Sequence, residues 1–305
     1  MGRYLLKRII SALLTIWFVM TITFILMNSI PGNPFRTEQM ADPEIRQAME
    51  AKYGLDKPLL QRYFKYIGDY VRGDFGLSFQ RRGLTTNEII RSGFPYSLRI
   101  GIMASLVVIL IGIFFGIVAA LRQNRLVDRT LMFFSTLGCT IPNFVFASLF
   151  LFVFSKLLGW VPPYGLRNWK GYVGPVLVLA VFSVSYVTRL MRTSMLDVMN
   201  QDFIRTARAK GLYEHRVILK HALRNAVLPV VTYFGPMFAA IITGSFVIEK
   251  VFVIPGIGSL FTQSILNRDF TMIMGITVFF AVILVICVLV VDILYVLIDP
   301  RIKYD

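Results

Sequence analysis

Long runs of uncharged, apolar residues dominate this chain and predict most of its secondary structure. A run of about 18 or more such residues is long enough to cross the hydrocarbon core of a membrane as a helix. Five runs meet this length: Ile9 to Ile30, Ile100 to Leu121, Thr130 to Ser155, Asn225 to Ile248 and Phe270 to Val291. A sixth, Tyr172 to Thr188, is slightly shorter, and Arg189 after it extends it by reaching toward the interface. The pattern predicts an all-α, polytopic membrane protein with six transmembrane helices.

The polar stretch between the first two runs carries helix signals of its own. One helix is expected from Asp42 to Gly54, and a second after Pro58. The apolar side of this second helix is expected to consist of Tyr63, Phe64, Ile67 and Val71. Thr85 and Glu88 form a capping box that is expected to open a third, shorter helix. The pattern predicts a small helical segment between the first two spans.

The chain divides into three parts on this pattern. Residues 1–30 hold the N-terminus and the first span, and residues 31–99 form an extracytoplasmic helical segment. Residues 100–305 form a five-span core with a cytoplasmic loop at 189–228. The first run is longer than the core of a cleaved signal peptide, and no small-residue cleavage site follows it. We therefore expect the first span to remain in the protein.

Composition and charge support a membrane protein rather than a nucleic-acid-binding protein. The 305 residues are 56% hydrophobic, and the net charge is +15. The basic residues cluster at alternate ends of successive spans: Arg3, Lys7 and Arg8, then Arg122, Arg125 and Arg129, then the loop at 189–228, then Arg301 and Lys303. Loops rich in Lys and Arg stay in the cytoplasm. With six spans all these clusters lie on that side, and both termini are expected there.

A polar, basic segment from Asp202 to Pro229 separates two apolar runs. Asp202 is expected to cap a short helix on which Phe203 and Ala207 share one face, and Gly211 is expected to end it in a left-handed conformation. A second helix is expected from about Glu214 and leads into the next span at Pro229. The segment predicts a compact knob at the inner face of a membrane that another protein grips. The alternative is an ordinary basic cytoplasmic loop.

Signatures of catalysis and cofactor binding are missing from the sequence. It has no Gly-x-x-x-x-Gly-Lys-Ser/Thr phosphate loop, no Gly-x-Ser-x-Gly and no His-Glu-x-x-His. His215 and His221 are six residues apart, which suits no metal pair on a helix, and Cys139 and Cys287 both lie inside spans as packing residues. We predict no catalytic, cofactor-binding or metal-binding residue in this chain, and no enzymatic activity of its own.

Ionisable residues inside membrane spans are candidates for function. Asp292 is the acid expected to be buried, and Arg189 or Arg192 is its expected partner. A structural ion pair is favoured over a proton relay, because no chain of acids or histidines leads from Asp292 across the membrane. This scarcity argues against a stand-alone secondary transporter or channel, which is the rival class.

Small and helix-bending residues concentrate in the third and fifth spans. Pro142 is expected to kink the third span, and the fifth contains Gly235, Pro236, Ala239, Ala240, Thr243, Gly244 and Ser245. One interpretation is close helix packing through small residues. The other is a wide, chemically neutral path across the membrane, and its candidate lining residues are Asn143, Thr243 and Ser245.

Several motifs together resemble one family. One match is the run Arg205-Thr206-Ala207, which is followed after three residues by Gly211. This pattern resembles the coupling loop of ABC importer permeases, although Arg205 and Thr206 replace the usual Glu and Ala. Further matches are PGNPF (Pro31 to Phe35), YGLDKP (Tyr53 to Pro58), GDFGLS (Gly73 to Ser78), HALRNAVLP (His221 to Pro229), TGSFVIEKVF (Thr243 to Phe252), IPGIG (Ile254 to Gly258) and DPR (Asp299 to Arg301). The chain is similar to the B-type permease subunits of oligopeptide importers.

This resemblance implies a fold, partners and a cargo. It implies the type I ABC importer permease fold in a bacterial plasma membrane, a second permease subunit, two ABC ATPase subunits that bind ATP and Mg²⁺, and an external peptide-binding protein. It assigns the ATPase-coupling loop to Asp202, Phe203, Arg205, Thr206, Ala207, Arg208, Gly211 and Glu214. The implied cargo is an oligopeptide. Dipeptides, glutathione, nickel or a metallophore are alternatives with the same machinery.

Overall fold

The computed structural model describes residues 2–29, 54, 56–81 and 83–298. Within them the backbone forms helices joined by short turns, and the all-α prediction is confirmed for this part of the chain. In chain order the helices are α1 (Gly2–Ser29), α2 (Leu59–Val71), α3 (Thr86–Leu121), α4 (Leu126–Thr140), α5 (Asn143–Leu157), α6 (Trp169–Met199), α7 (Asp202–Ala209), α8 (214–226), α9 (Leu228–Ile242), α10 (Phe246–Val251), α11 (Ile257–Leu266) and α12 (Phe270–Ile298).

Five stretches of the described chain are helical, long and apolar enough to cross a membrane. They are Leu6–Ser29, Thr86–Leu121, Trp169–Met199, Leu228–Val251 and Phe270–Ile293. Helices α4 and α5 pass the same test together, but they are bent by 107° where they meet. The predicted count of six spans is reached when this bent pair is taken as one.

The bend between α4 and α5 is sharper than the kink expected at Pro142. Helix α4 ends at Thr140, Ile141 is extended with φ −72° and ψ 123°, and α5 begins at Asn143 directly after the proline. The ring of a proline disfavours helical backbone in the residue before it, so Ile141 leaves the helix. The third apolar run is therefore two helices rather than one kinked helix.

The described chain falls into two compact units. The first comprises Met1–Pro95 with Leu260–Val285, and the second comprises Tyr96–Ser259 with Ile286–Asp305. The core of the first unit contains Met20, Phe24, Tyr66, Tyr70 and Val278. The Phe24 and Tyr66 rings stack with their centroids 5.5 Å apart. Aromatic contacts thus hold α2 to α1.

The buried side of α2 differs from the predicted one. Phe64 is 69% exposed and Val71 is 76% exposed, so their predicted place on the packed side is wrong. The packed stripe is Tyr63, Tyr66, Ile67 and Tyr70, which follows the i, i+3, i+4, i+7 spacing of one helix face. The prediction placed Tyr63 and Ile67 on this side but did not include Tyr66 and Tyr70, whose rings bury like those of other aromatics.

The capping box at the start of α3 is confirmed, but the helix is not short. Thr85 N–H donates to Glu88 Oε2 at 2.8 Å, and Glu88 N–H donates to Thr85 Oγ1 at 3.2 Å. Helix α3 then continues to Leu121 through a π-helical turn at Val108–Gly112. Pro95 lies inside it without ending it. The prediction of a separate third helix before the second span is therefore wrong.

The core of the second unit is built around α6. Met191, Met195, Val178 and Val187 on this helix are at most 1% exposed. Glycines bring α3 close to α6: a Cβ on Gly116 would lie 2.5 Å from Met191 Cβ. This close approach fixes the position of α6, and the segment from Asp202 onward follows directly from the end of this helix.

Some predictions concern residues outside the described part of the chain. These are the body of the helix predicted from Asp42, the motif Pro31 to Phe35, and the ending Asp299 to Arg301 with the basic residues after it. Gly54, the predicted stop of that first helix, is described and has φ +67°.

Candidate functional site: the basic knob and the break in the fifth span

The knob, defined as residues 202–226, begins with α7 rather than with a capped turn. Asp202 is the first helical residue, and Gln201 occupies the N-cap position without a side-chain cap hydrogen bond. The prediction that Asp202 caps this helix is therefore wrong. Its carboxylate still lies at the positive end of the helix dipole, where an acid is favourable.

The end of α7 follows the prediction for Gly211. This glycine has φ +77°. Its N–H donates to Arg208 O at 2.9 Å, and Leu212 N–H donates to Ala207 O at 3.4 Å. These two bonds form a Schellman motif, which satisfies the last carbonyls of a helix when the next residue is left-handed. The chain can thus reverse and start α8 at Glu214.

A small apolar core fixes the knob to the inner end of α6. Ile204 is fully buried, and Ala207 is 5% exposed. They belong to the same buried cluster as Met191 and Met195 of α6 and as Val217, Ala222 and Ala226 of α8. Of the predicted pair on one face, Ala207 is buried, whereas Phe203 is 44% exposed. Ile204, which was not among the predicted residues, is the residue that anchors α7.

An ion pair bridges the turn at Gly211. Arg208 Nη2 and Nε donate to the two carboxylate oxygens of Glu214 at 2.7 and 3.2 Å. The hydrogen bond from Arg208 lowers the pKa of the Glu214 carboxyl, and the same bond raises the pKa of the Arg208 guanidinium. Both side chains are about half exposed, so the pair stabilises the turn only modestly.

The outward surface of the knob is basic and partly aromatic. The knob holds six Arg and Lys residues against two acids. Arg205 is 74% exposed at its side chain, and Thr206 donates to Asp202 O at 3.0 Å. The Tyr213 ring is 72% exposed and stacks on His215 with centroids 5.8 Å apart. Such a surface is suited to an acidic groove of another protein.

The inner end of α6 also binds α4, and this changes the predicted ion pair. Arg192 Nε and Nη2 donate to Asp128 Oδ1 and Oδ2 at 2.6 and 2.7 Å. Arg189 Nη2 lies 3.0 Å from Cys139 Sγ. The predicted pairing of Asp292 with Arg192 is therefore wrong. Two residues after Arg192, Ser194 Oγ donates to Ala226 O at 2.8 Å, which ties α6 to the end of the knob.

Three acids are buried more deeply than Asp292, contrary to the sequence prediction. Asp128, Glu249 and Asp269 are 2, 3 and 1% exposed. Asp269 accepts from Ser78 Oγ and from the N–H groups of Phe79 and Met272. Its place directly before the last apolar run is the usual N-cap signal, which identifies this role. Glu249 carried no such signal beyond the motif TGSFVIEKVF.

The fifth span is broken at the predicted path residues Thr243 and Ser245. Helix α9 ends at Ile242, Gly244 has φ +87°, and α10 begins at Phe246. Thr243 and Ser245 are half-buried on either side of this glycine. Asn143 is the first residue of α5, so it lies at the other break, between α4 and α5. Each of the three candidates thus lies at a break between helices, and Thr243 and Ser245 lie at the same break.

The described part of the chain contains no set of side chains arranged to bind a metal ion. No group of three or more His, Cys, Asp or Glu residues is placed there to hold an ion. Cys139 and Cys287 are free thiols, each half-buried within a helix.

Comparison with known families matches both parts of the chain. The profile described as "Binding-protein-dependent transport system inner membrane component" matches residues 112–304. The profile described as "Binding-prot-dependent transport system membrane comp, N-term" matches residues 1–101. The matched regions include both breaks and the knob.

Solved structures show a similar fold. An amino acid ABC transporter with histidines superposes with a TM-score of 0.53 at 16% identity, over 71% of this chain and 95% of that one. The inward-facing MetNI methionine ABC transporter superposes with a TM-score of 0.53 at 15% identity, over 71% of this chain and 97% of that one. At these identities the likeness concerns the fold alone.

Relatives with similar sequences extend over the whole chain. The oligopeptide transport system permease protein OppB of Haemophilus influenzae is 43% identical over 100% of both chains. The dipeptide transport system permease protein DppB of Bacillus subtilis is 43% identical over 99% of this chain and 98% of its own. Escherichia coli OppB is 39% identical over 100% of both. The chain therefore belongs to the family of binding-protein-dependent transport system inner membrane components.

Proposed function

We propose that this chain is the transmembrane permease subunit of an ATP-driven ABC importer of oligopeptides. The observation that carries the proposal is the 43% identity over the full length to an oligopeptide transport system permease. The chain forms the translocation path together with a second, similar permease subunit. An external peptide-binding protein delivers the cargo.

The knob receives the force for transport from two ABC ATPase subunits. ATP and Mg²⁺ bind to those subunits, and this chain contributes no catalytic residue. The knob is supported in this role by its buried anchor on α6 and its basic, exposed outer face. Its coupling residues are Asp202, Phe203, Arg205, Thr206, Ala207, Arg208, Gly211 and Glu214.

The cargo passes beside the two interrupted spans. Non-helical backbone at membrane depth is tolerated where it is buried in protein or lines a water-filled cavity. The breaks next to Asn143 and at Thr243 to Ser245 supply such backbone, and their side chains are small and uncharged. This supports Asn143, Thr243 and Ser245 as residues of a path that accepts many peptide sequences.

The orientation in the bacterial plasma membrane follows from the charge distribution. The knob and both termini lie in the cytoplasm, because the Arg and Lys clusters alternate with the spans. The segments 31–99, 158–170 and 250–269 then lie outside.

Dipeptides are the second candidate cargo. A dipeptide transport system permease is as similar to this chain, at 43% identity, as the oligopeptide one. The two cargoes differ in the length that the external binding protein must enclose, so the permease sequence separates them poorly.

Reconstitution of the whole complex tests the proposal. The four membrane and ATPase subunits in liposomes, with the binding protein, should take up labelled tri- to pentapeptides only with ATP. Labelled dipeptides and Ni²⁺ are measured in parallel. Uptake of the dipeptide alone would show that dipeptides, not oligopeptides, are the cargo. Uptake of neither peptide would overturn the proposed function.

The same preparation tests where ATP is hydrolysed. The purified chain alone should hydrolyse no ATP above a detergent blank, whereas the complex should. Hydrolysis by the pure chain, resistant to removal of trace ATPase subunits, would contradict the division of labour.

A further inference from the structure

Glu249 is a buried carboxylate placed directly after the break in the fifth span. It lies on α10 and is 3% exposed. Ser97 Oγ donates to its Oε1 at 2.7 Å, and Ser259 N–H donates to its Oε2 at 2.7 Å. The Gly258 N–H also donates to it. All of these groups donate to the carboxyl oxygens of Glu249, which is therefore their common acceptor beside the amino end of α11.

Three glycines leave the room that this carboxylate occupies. A Cβ on Gly256 would lie 2.5 Å from Glu249 Oε2, and one on Gly258 would lie 3.2 Å from the same atom. A Cβ on Gly244 would overlap with Oε1. Gly244 belongs to the break itself, whereas Gly256 and Gly258 belong to the turn before α11. The carboxylate thus fixes both segments at once.

The cage around Glu249 is closed by a second hydrogen bond. Ser97 Oγ, which donates to the carboxylate, accepts from Ile257 N–H at 2.9 Å. Helix α3, the break and the turn at 254–259 therefore meet at one side chain. The free space there is about 10 Å³, which leaves no room for a bound peptide. Glu249 acts by placing other residues and not by binding cargo.

We propose that Glu249 is a positioning residue of the transport path. Its carboxylate holds the break open against α3 and the turn, and so presents Thr243 and Ser245 to the cargo. A continuous helix from 228 to 251 would need no such carboxylate, and burying a carboxyl group at 3% exposure is unfavourable unless hydrogen bonds compensate it. The role in transport rests on the proposed function, whereas the role of Glu249 in placing the break does not depend on which cargo is transported.

The first test measures uptake by the reconstituted complex with Glu249→Gln. The amide has one acceptor oxygen where the carboxyl group has two, so at least one of the hydrogen bonds that Glu249 accepts is lost in either orientation. Uptake should fall by about tenfold or more, since such a bond is worth a factor of that order. Lys250→Gln is the matched control, because Lys250 is exposed and lies outside the cage, and it should transport like the wild type. Normal uptake by Glu249→Gln would overturn the proposal.

The second test asks whether the glycines serve the carboxylate. Gly256→Ala should reduce uptake when Glu249 is present and should add little to the loss in a Glu249→Ala background. Losses that simply multiply would show two unrelated defects and would overturn the cage. If Glu249→Gln fails to accumulate in the membrane, Ser97→Ala takes its place, since it removes one donor and keeps the carboxylate.

The third test needs no cargo. In a chain with Cys139 and Cys287 replaced by Ala, Ser245→Cys should react with a small thiol reagent. The reaction should become about tenfold slower when Glu249→Gln is added, because Ser245 is then no longer presented at the break. If this difference appears and no complex takes up peptide, the placement is supported and the cargo is wrong. If the difference is absent, or appears while Glu249→Gln still transports normally, the proposal fails.

Discussion

At the scale of single residues, Gly211 shows how one backbone conformation shapes the knob. Its φ of +77° allows both hydrogen bonds that end α7. A Cβ at this position would meet no atom within 4 Å. The requirement for glycine is therefore conformational and not steric, and this separates it from the glycines around Glu249.

Replacing Gly211 tests the turn without crowding it. Gly211→Val should destabilise the knob by about 1–2 kcal/mol, because a β-branched residue is strained in the left-handed region. The spans should still insert, while ATPase subunits co-purify poorly and peptide uptake falls. Gly211→Asn is the matched control, since Asn tolerates this conformation. Equal ATPase retention by Gly211→Val and the wild type would contradict the role of the turn.

The pair Arg208–Glu214 predicts a pH dependence. Because the folded pKa of Glu214 is lowered by Arg208, the pair stabilises above the ordinary Glu pKa of about 4.3. That stability is lost as pH falls through the lowered pKa. The exposed pair is worth only about 0.2–1 kcal/mol.

Thermal unfolding in detergent measures this contribution. Glu214→Gln should melt slightly below the wild type at pH 7, and the difference should be lost at an acidic pH below the lowered pKa of Glu214. A variant with both Arg208→Gln and Glu214→Gln should differ from Glu214→Gln alone at neither pH. A difference between wild type and Glu214→Gln that is unchanged at low pH would refute the assignment.

At the scale of elements, α6 is the helix on which the second unit depends. It contacts α3 through glycines, α4 through Arg192 and Asp128, and the knob through Ser194 and its methionines. A displacement of the knob would therefore reach α4, and with it the bend at Pro142, through direct contacts. Removing one partner of a buried ion pair is more damaging than removing both, which makes Asp128 and Arg192 a coupled position.

The glycine contact between α3 and α6 gives a paired prediction. Gly116→Ala should destabilise by about 1–3 kcal/mol, because its Cβ would lie 2.5 Å from Met191 Cβ and 2.8 Å from Thr188 O. Gly68→Ala in α2 meets nothing within 4 Å and should be neutral or stabilising, by up to about 1 kcal/mol. Melting temperatures of the two purified variants check this. The packing argument would fail if Gly68→Ala lowered the melting temperature more than Gly116→Ala does.

At the scale of the whole molecule, the remaining question is orientation in the membrane. Tyr164 is 65% exposed in the loop between α5 and α6, and Tyr213 is 72% exposed in the knob. The positive-inside rule places the first outside and the second in the cytoplasm. The two positions are alike in residue type and in exposure, so reagent access should differ between them only through the membrane.

Cysteine labelling in intact cells tests this orientation. With Cys139 and Cys287 replaced by Ala, Tyr164→Cys should react with a membrane-impermeant maleimide, and Tyr213→Cys should react only after the membrane is opened. Both should react equally in detergent, which controls for local exposure. Labelling of Tyr213→Cys in intact cells would reverse the topology and place the knob on the wrong side for an ATPase.

Features that depend on local or one-dimensional signals could be predicted from the residues alone. Apolar run length identifies spans, because a membrane demands about 20 apolar residues per helix. The left-handed Gly211, the entry at Pro229 and the Thr85–Glu88 box are likewise set by residues within a few positions of one another. The family motifs along the chain led to the same conclusion as the comparisons.

Which side chains meet across helices depends on how the folded chain packs. Asp128 and Arg192 are 64 residues apart, and Ser97 and Glu249 are 152 apart. No sequence period relates such positions. Tyr66 and Tyr70 replaced Phe64 and Val71 in the core, since burial of an amphipathic helix depends on the neighbours it packs against. The bend of 107° also exceeds what Pro142 alone implies, because a proline breaks a helix while the packing around it sets the angle.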